Sequence, residues 1–175
     1  MEIRELMKKA TMFHGHICPG IAIGVLAAKY AIEHGFEHSP DEELVAVAET
    51  DNCSVDALQA LLGTTYGKGN FIHKDYGKSN YNIYSRKNQK GIRLSLKKTI
   101  LDNKKLSRDE KVQKLLSMKP EDVFDIRNID YDPPGMAQIE ESVTCSICGE
   151  LTMDSRMMKY QGKIMCIPCY KEFKE

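Results

Sequence analysis

Two groups of residues carry donor atoms at spacings that suit chemistry. Toward the C-terminus, Cys145 and Cys148 form one CxxC pair and Cys166 and Cys169 another, with seventeen residues between the pairs. Four thiolates in that order fit a structural, tetrahedral Zn²⁺ site with sulfur–metal distances of about 2.3 Å. A redox dithiol or an iron–sulfur cluster is the other chemistry such pairs serve. Toward the N-terminus, the stretch FHGHICPG (13–20) sets His14, His16 and Cys18 at alternate positions. An extended backbone would send all three side chains to one face. A second polar turn adds Asp51, Cys53 and Asp56. Taken singly, a free cysteine is commonly a small buried hydrophobe and a lone histidine a surface or satisfied core residue. Together, thiolates and imidazole make a three-ligand site with an open position, the arrangement of a catalytic or ligand-binding metal. The same residues would equally serve a thiol nucleophile, Cys18 or Cys53, with His14 or His16 as its base.

The elements that must position these residues follow from periodicity. Ile3, Leu6, Met7 and Ala10 recur at helical spacing and predict a short amphipathic helix over 2–12 that leads into the HGHICPG turn. A second helix follows Pro19. Its Gly20, Gly24 and Ala28 stand four apart, leaving one face thin enough for close packing, and Gly35 ends it. LVAVAET (44–50) is a continuous apolar run, the pattern of a buried strand. DNCSVDALQALLG begins with Asp51, Asn52 and Ser54, which can cap a helix, and continues with Val55, Leu58, Leu61 and Leu62 at helical spacing. Cys53 then falls at or just before a helix N-terminus, where unpaired N–H groups predict a lowered thiol pKa.

GTTYGKGN (63–70) lacks the GxxxxGK[ST] order of a phosphate loop and reads first as a tight turn, with Lys68 as a candidate anion or cofactor contact. FIHKDYGK, YNIYSR, GIRLSL and the later FDIRNIDY bring the sheet to about five strands. Ser107 to Met118 predicts a helix, with Glu110 three residues after its Ser107 cap. The fold class is α+β: a mixed or antiparallel sheet with packed helices. YDPPGMAQIEES breaks regular structure, so the expected organisation is a core domain over 1–132, a linker over 133–142 and a zinc finger over 143–175. Within the finger, a hairpin turning at Gln161–Gly162 and a helix starting in CIPC make a treble clef. About 30 residues bury too little apolar surface to fold alone, so the metal supplies much of its stability.

The 175 residues carry no net charge, which excludes a field that would draw the whole chain to nucleic acid or a membrane surface. Charge is nonetheless segregated. Residues 1–60 hold 4 basic and 10 acidic side chains, 86–119 hold 12 and 3, and 120–141 hold 1 and 7. The basic stretch reads as a solvated face or as the counterpart of the acidic one, in the same or a partner chain. The finger sets five basic residues against four acidic ones, which argues against nucleic acid as its partner. MEIRELMKKATMF lacks the apolar core of a signal peptide, and IAIGVLAAKYAI is shorter than the roughly 20 residues of a membrane span. A cytoplasmic location is expected, with cysteines serving metal or thiol chemistry rather than disulfides.

FHGHICPG followed by IAIG, and then DNCSVDALQALLGTTYGKGNFIHKDYGK, resemble the family of the formylmethanofuran dehydrogenase E subunit, over about residues 10–85. Some members also carry a C-terminal treble-clef finger, as residues 143–175 do. The resemblance implies an α+β core that tends to dimerise, with a cleft formed by His14, His16, Cys18, Asp51, Cys53, Asp56 and Gln59. It implies an association with operons for the molybdenum or tungsten enzymes that interconvert carbon dioxide and formylmethanofuran in methanogenesis, such an enzyme being the expected partner. Two positions depart from the family pattern. Thr64 stands where the family often has cysteine, which removes a thiol ligand or resolving partner for Cys53. Val25 and Leu26 stand where it often has a basic residue, which removes an anion contact. The expected function is that of an accessory protein with zinc in the finger and a second transition metal in the core, held by His16, Cys18 and Cys53. His14 would be an alternative ligand and Asp51 and Asp56 would orient the site. A thiol- or metal-dependent enzyme and a scaffolding module that docks through its finger are the alternatives.

Overall fold

The N-terminal apolar spacing builds α1 (Ile3–His14), which runs two residues further at its C-terminal end than predicted. Gly15, at φ +91°, closes it by returning its N–H to the Thr11 carbonyl. The structure, a computed structural model, describes residues 2–101 and 106–174. Residues 102–105 of the basic stretch lie outside them. α2 (Pro19–Glu33) starts with proline, whose missing N–H costs nothing at a helix start. It is buried from Ile21 through Ala28, an inner helix and not a surface one. β1 (Leu44–Ala48) is buried at every residue, as its unbroken apolar run predicts. α3 (Ser54–Leu62) crosses over to β2 (Phe71–His73), and that crossover lets β1 and β2 pair in parallel. β3 (Asn80–Ser85), β4 (Lys90–Leu96) and, after the helices α4 (Lys98–Leu101), α5 (Arg108–Ser117) and α6 (Pro120–Val123), β5 (Phe124–Ile129) add antiparallel pairs. The result is a mixed five-stranded sheet in the order β2-β1-β3-β4-β5. The capping box of α5, Ser107 with Glu110, is present as predicted, whereas the short α4 and α6 had no periodic signal long enough to read.

One face of the sheet, with Leu44, Ala46, Ala48, Tyr81, Ile83, Ile92 and Leu94, packs on the helices around α2. On the other, Val45, Val47 and Tyr84 form a smaller apolar group. There Glu49 receives both Arg93 guanidinium nitrogens, at 2.6 and 3.1 Å, and the Asn80 amide at 2.8 Å. Arg93 holds the Glu49 carboxyl below the usual carboxylate range. Pro134 and Ala137 are tied to the core: the Pro134 carbonyl accepts from Arg86 at 2.8 Å, and the Ala137 N–H donates to Glu42 at 3.0 Å. The chain divides into two compact units, Met1–Ala137 and Gln138–Glu175.

The second unit contains β6 (Ser142–Thr144) paired with β7 (Leu151–Met153), then β8 (Met157–Tyr160) paired with β9 (Lys163–Cys166), and finally α7 (Ile167–Lys174). The β8–β9 hairpin turns at Gln161–Gly162, both at positive φ, the geometry that matches strand twist. No helix among the described residues is long and apolar enough to cross a membrane.

Candidate metal centres

Three helix ends build the N-terminal cluster. His14 is the last residue of α1, Cys18 caps α2 by accepting the Ile21 N–H at 3.4 Å, and Cys53 directly precedes α3. The predicted convergence of His14, His16 and Cys18 therefore occurs, but not by alternation along an extended segment. A helix end, a glycine-hinged turn and a helix start achieve it. Ligand atoms of His14, His16, Cys18 and Cys53 all lie within 4.8 Å of one another.

The thin face of α2 brings in Cys53. A Cβ added at Gly20 would come 2.9 Å from the Cys53 Cβ, and one at Gly24 only 2.2 Å from the Ser54 carbonyl oxygen. α3 thus approaches α2 as closely as main chains allow, with its N-terminus at Cys18. The preceding turn is held by Asn52, whose Oδ1 accepts from Ser54 N at 3.0 Å and whose amide donates to Ser79 Oγ at 3.2 Å. The Ser54 hydroxyl in turn meets the buried Tyr81 hydroxyl at 2.6 Å. Ser79, the partner that anchors Asn52, has no chemistry that sequence spacing would flag.

His14 presents its Nε2 to Cys18 Sγ at 3.9 Å, while its Nδ1 meets Asp56 Oδ2 at 2.7 Å. A carboxylate on one ring nitrogen favours a proton on Nδ1 and turns Nε2 toward the sulfurs. His14 thereby sits within the cluster, with Asp56 hydrogen-bonded to its outer ring nitrogen. His16 is exposed, its ring 4.3 Å from that of His14, and faces the solvent side.

At three positions the local structure differs from the expectation. Asp51 is exposed, and its carboxylate is not among the ligand atoms that converge. The Cys53 thiol is raised, not lowered: burial dominates, and the neighbouring Cys18 adds to it, outweighing the helix N-terminus. Lys68 spends its ammonium on the carbonyls of Ser39, Pro40 and Asp41, at 2.9, 3.2 and 2.7 Å, as a clasp on the loop before β1.

The second unit gathers Cys145, Cys148, Cys166 and Cys169, with all four sulfurs within 4.8 Å. Sulfurs at about 2.3 Å from a tetrahedral ion stand about 3.8 Å apart, and Cys148 and Cys166 do so at 3.8 Å. The Cys166 N–H donates to Cys145 Sγ at 3.3 Å. That amide, with those of Cys148 and Ile147, draws the Cys145 thiol down to about 6, while the hydrogen bond with Cys166, burial and the other neighbours push Cys169 up to about 12. Four sulfurs this close cannot all ionise without a cation, so the donor set fits zinc. Cys166 ends β9 and Cys169 lies in the first turn of α7, the hairpin-then-helix order predicted.

Residues 13–125 match the family described as FmdE, molybdenum formylmethanofuran dehydrogenase operon, and residues 139–175 match the prokaryotic dksA/traR C4-type zinc finger. A protein of Archaeoglobus fulgidus described as a probable S-adenosyl-L-methionine-binding protein is 32% identical over 187 residues, covering 89% of this chain and 51% of the relative. The chain thus spans about half the length of that relative. The fold is similar to the crystal structure of a tungsten formylmethanofuran dehydrogenase FmdE-like protein from Syntrophus aciditrophicus, with a TM-score of 0.72 and 22% identity. That similarity covers 97% of this chain and 92% of the other.

Proposed function

The chain belongs to the FmdE family, and from that footing we propose that it is a metal-binding accessory protein carrying two ions, one in the finger and a second, transition metal in the core. The observation that carries this reading is the convergence within 4.8 Å of two imidazoles and two thiols, from three helix ends and the turn that holds His16, with Asp56 orienting one imidazole. Two nitrogens and two sulfurs suit a tetrahedral, borderline-soft ion such as zinc. His14, Cys18 and Cys53 form the inner part of the set, and the exposed His16 is the donor a ligand would displace.

In this reading the finger docks onto a molybdenum or tungsten enzyme, a role supported by the exposed Leu151 and Met153 on its surface. The protein works as a cytoplasmic homodimer. The thiol-enzyme alternative is less well supported, because burial and Cys18 raise Cys53 instead of activating it.

The test is metal stoichiometry together with Co²⁺ titration of the full chain. Two ions per chain are expected. Cys18→Ser and Cys53→Ser should each remove one ion and its cobalt–thiolate bands, leaving the finger ion in place. Two ions and unchanged spectra in both variants would overturn the reading.

A further inference from the structure

Asp56 gives His14 only one of its oxygens. Oδ2 meets the His14 Nδ1 at 2.7 Å, and Oδ1 accepts from Gln59 Nε2 at 3.3 Å. The other end of the same amide, Gln59 Oε1, accepts the backbone N–H of Tyr66 at 3.1 Å. The amide is oriented from both ends. Turned over, it would set its NH₂ against an N–H and its oxygen against a carboxylate. Asp56 and Gln59 stand three apart on α3, neighbours on one helix surface. An unbroken line of side chains therefore runs from the cluster to the turn over residues 63–70.

That turn is otherwise fastened to itself and to the loop before β1. Thr65 N–H donates to Asn70 Oδ1 at 2.9 Å, Lys68 N–H to Thr65 Oγ1 at 3.3 Å, and the Lys68 ammonium holds three carbonyls. The Tyr66 N–H is the point at which the turn meets the line from the cluster, and the Tyr66 side chain stands 77% exposed.

We propose that Gln59 is a positioning residue that couples filling of the His/Cys cluster to the order of the turn at Tyr66. The inference rests on the reading that the cluster binds a metal. With an ion held by His14, Cys18 and Cys53, the His14 ring would be fixed, Asp56 would keep one rotamer, and its Oδ1 would hold the Gln59 amide under Tyr66. The ordering cost is shared along the line, so the ion and the ordered turn favour one another.

The experiment uses the full chain with zinc in the finger. Co²⁺ titration reports whether the core binds and in what geometry, and amide exchange at Tyr66, followed by NMR with added Zn²⁺, reports the turn. In the unaltered protein, Zn²⁺ should slow Tyr66 exchange several-fold. In Gln59→Ala, Tyr66 exchange should be fast and indifferent to Zn²⁺, and the cobalt bands should shift as His14 loses its fixed carboxylate. Gln59→Glu keeps an acceptor for Tyr66 but faces Asp56 with a second carboxylate. It should protect Tyr66 without metal dependence and bind Co²⁺ more weakly, by less than the roughly 10-fold typical of losing a direct partner of a metal ligand. Equal protection by Zn²⁺ in the unaltered protein and in Gln59→Ala would overturn the coupling, as would Tyr66 exchange that ignores bound ion. No cobalt binding in the core at all would overturn the metal reading first, and this inference with it.

Discussion

Thr64 has no exposed surface, and among the described residues its buried Oγ1 has no hydrogen-bond partner. A buried hydroxyl left unpaired costs about 1–3 kcal/mol. Against the family pattern, Thr64 reads as the loss of a thiol partner for Cys53. The structure sets it beyond the C-terminus of α3, a nine-residue helix of roughly 13 Å that begins at Ser54. A thiol at position 64 could not meet the Cys53 sulfur across that distance. The departure from the family pattern therefore bears on packing and leaves the cluster intact. Thr64→Val, of equal shape without the hydroxyl, should stabilise the protein by about 1 kcal/mol, read as a higher urea midpoint at unchanged slope. Cobalt binding in the core should not change. A lower midpoint would mean that the hydroxyl is satisfied in solution.

The contact between α2 and α3 decides whether a site exists. Both N-termini present a cysteine, and only glycine at 20 and 24 lets them meet. A methyl at Gly24 would lie 2.2 Å from the Ser54 carbonyl oxygen and 2.8 Å from the Ala57 Cβ, so Gly24→Ala must push α3 outward. Overpacking of this kind costs about 1–3 kcal/mol, and here it also separates Cys18 from Cys53. The expected result is a lower urea midpoint together with weakened cobalt–thiolate bands from the core, while the finger ion stays. Unweakened bands would show that the cluster tolerates a wider spacing.

This contact was legible in the sequence, since small residues four apart mark a thin helix face. The strands were legible too, because β1 is apolar throughout and β3 and β4 alternate. Less legible was anything set by what the chain meets after folding. The two extra residues of α1 place His14 in a helix, and no periodicity of apolar residues extends that far. Lys68 reads as a free cation until its three carbonyl partners from 39–41 are seen. The rise in the Cys53 pKa depends on burial beside Cys18, 35 positions earlier, which no local rule contains.

At the scale of the whole molecule the two units are stabilised by different physics. Met1–Ala137 encloses a large apolar cluster that includes Leu6, Ile21, Leu26, Leu58, Leu62, Ile83, Leu94 and Phe124. Among the described residues of Gln138–Glu175, only Met165 and three of the four cysteines are buried, with Met157, Tyr160 and Tyr170 packed partly against them. So small a core cannot offset the conformational entropy of nearly forty residues, and in such units the binding of the ion is the folding free energy. Removing metal should therefore divide the chain. With a strong chelator, amides of β8, β9 and α7 should lose their exchange protection and a protease should trim the chain back toward residue 137. The core should keep its strand amides protected and its cooperative thermal transition, even with the His/Cys cluster stripped, because apolar burial carries it. Adding Zn²⁺ back should restore the finger at one equivalent. Protection that survives chelation in the finger, or a core transition that collapses with it, would contradict this division.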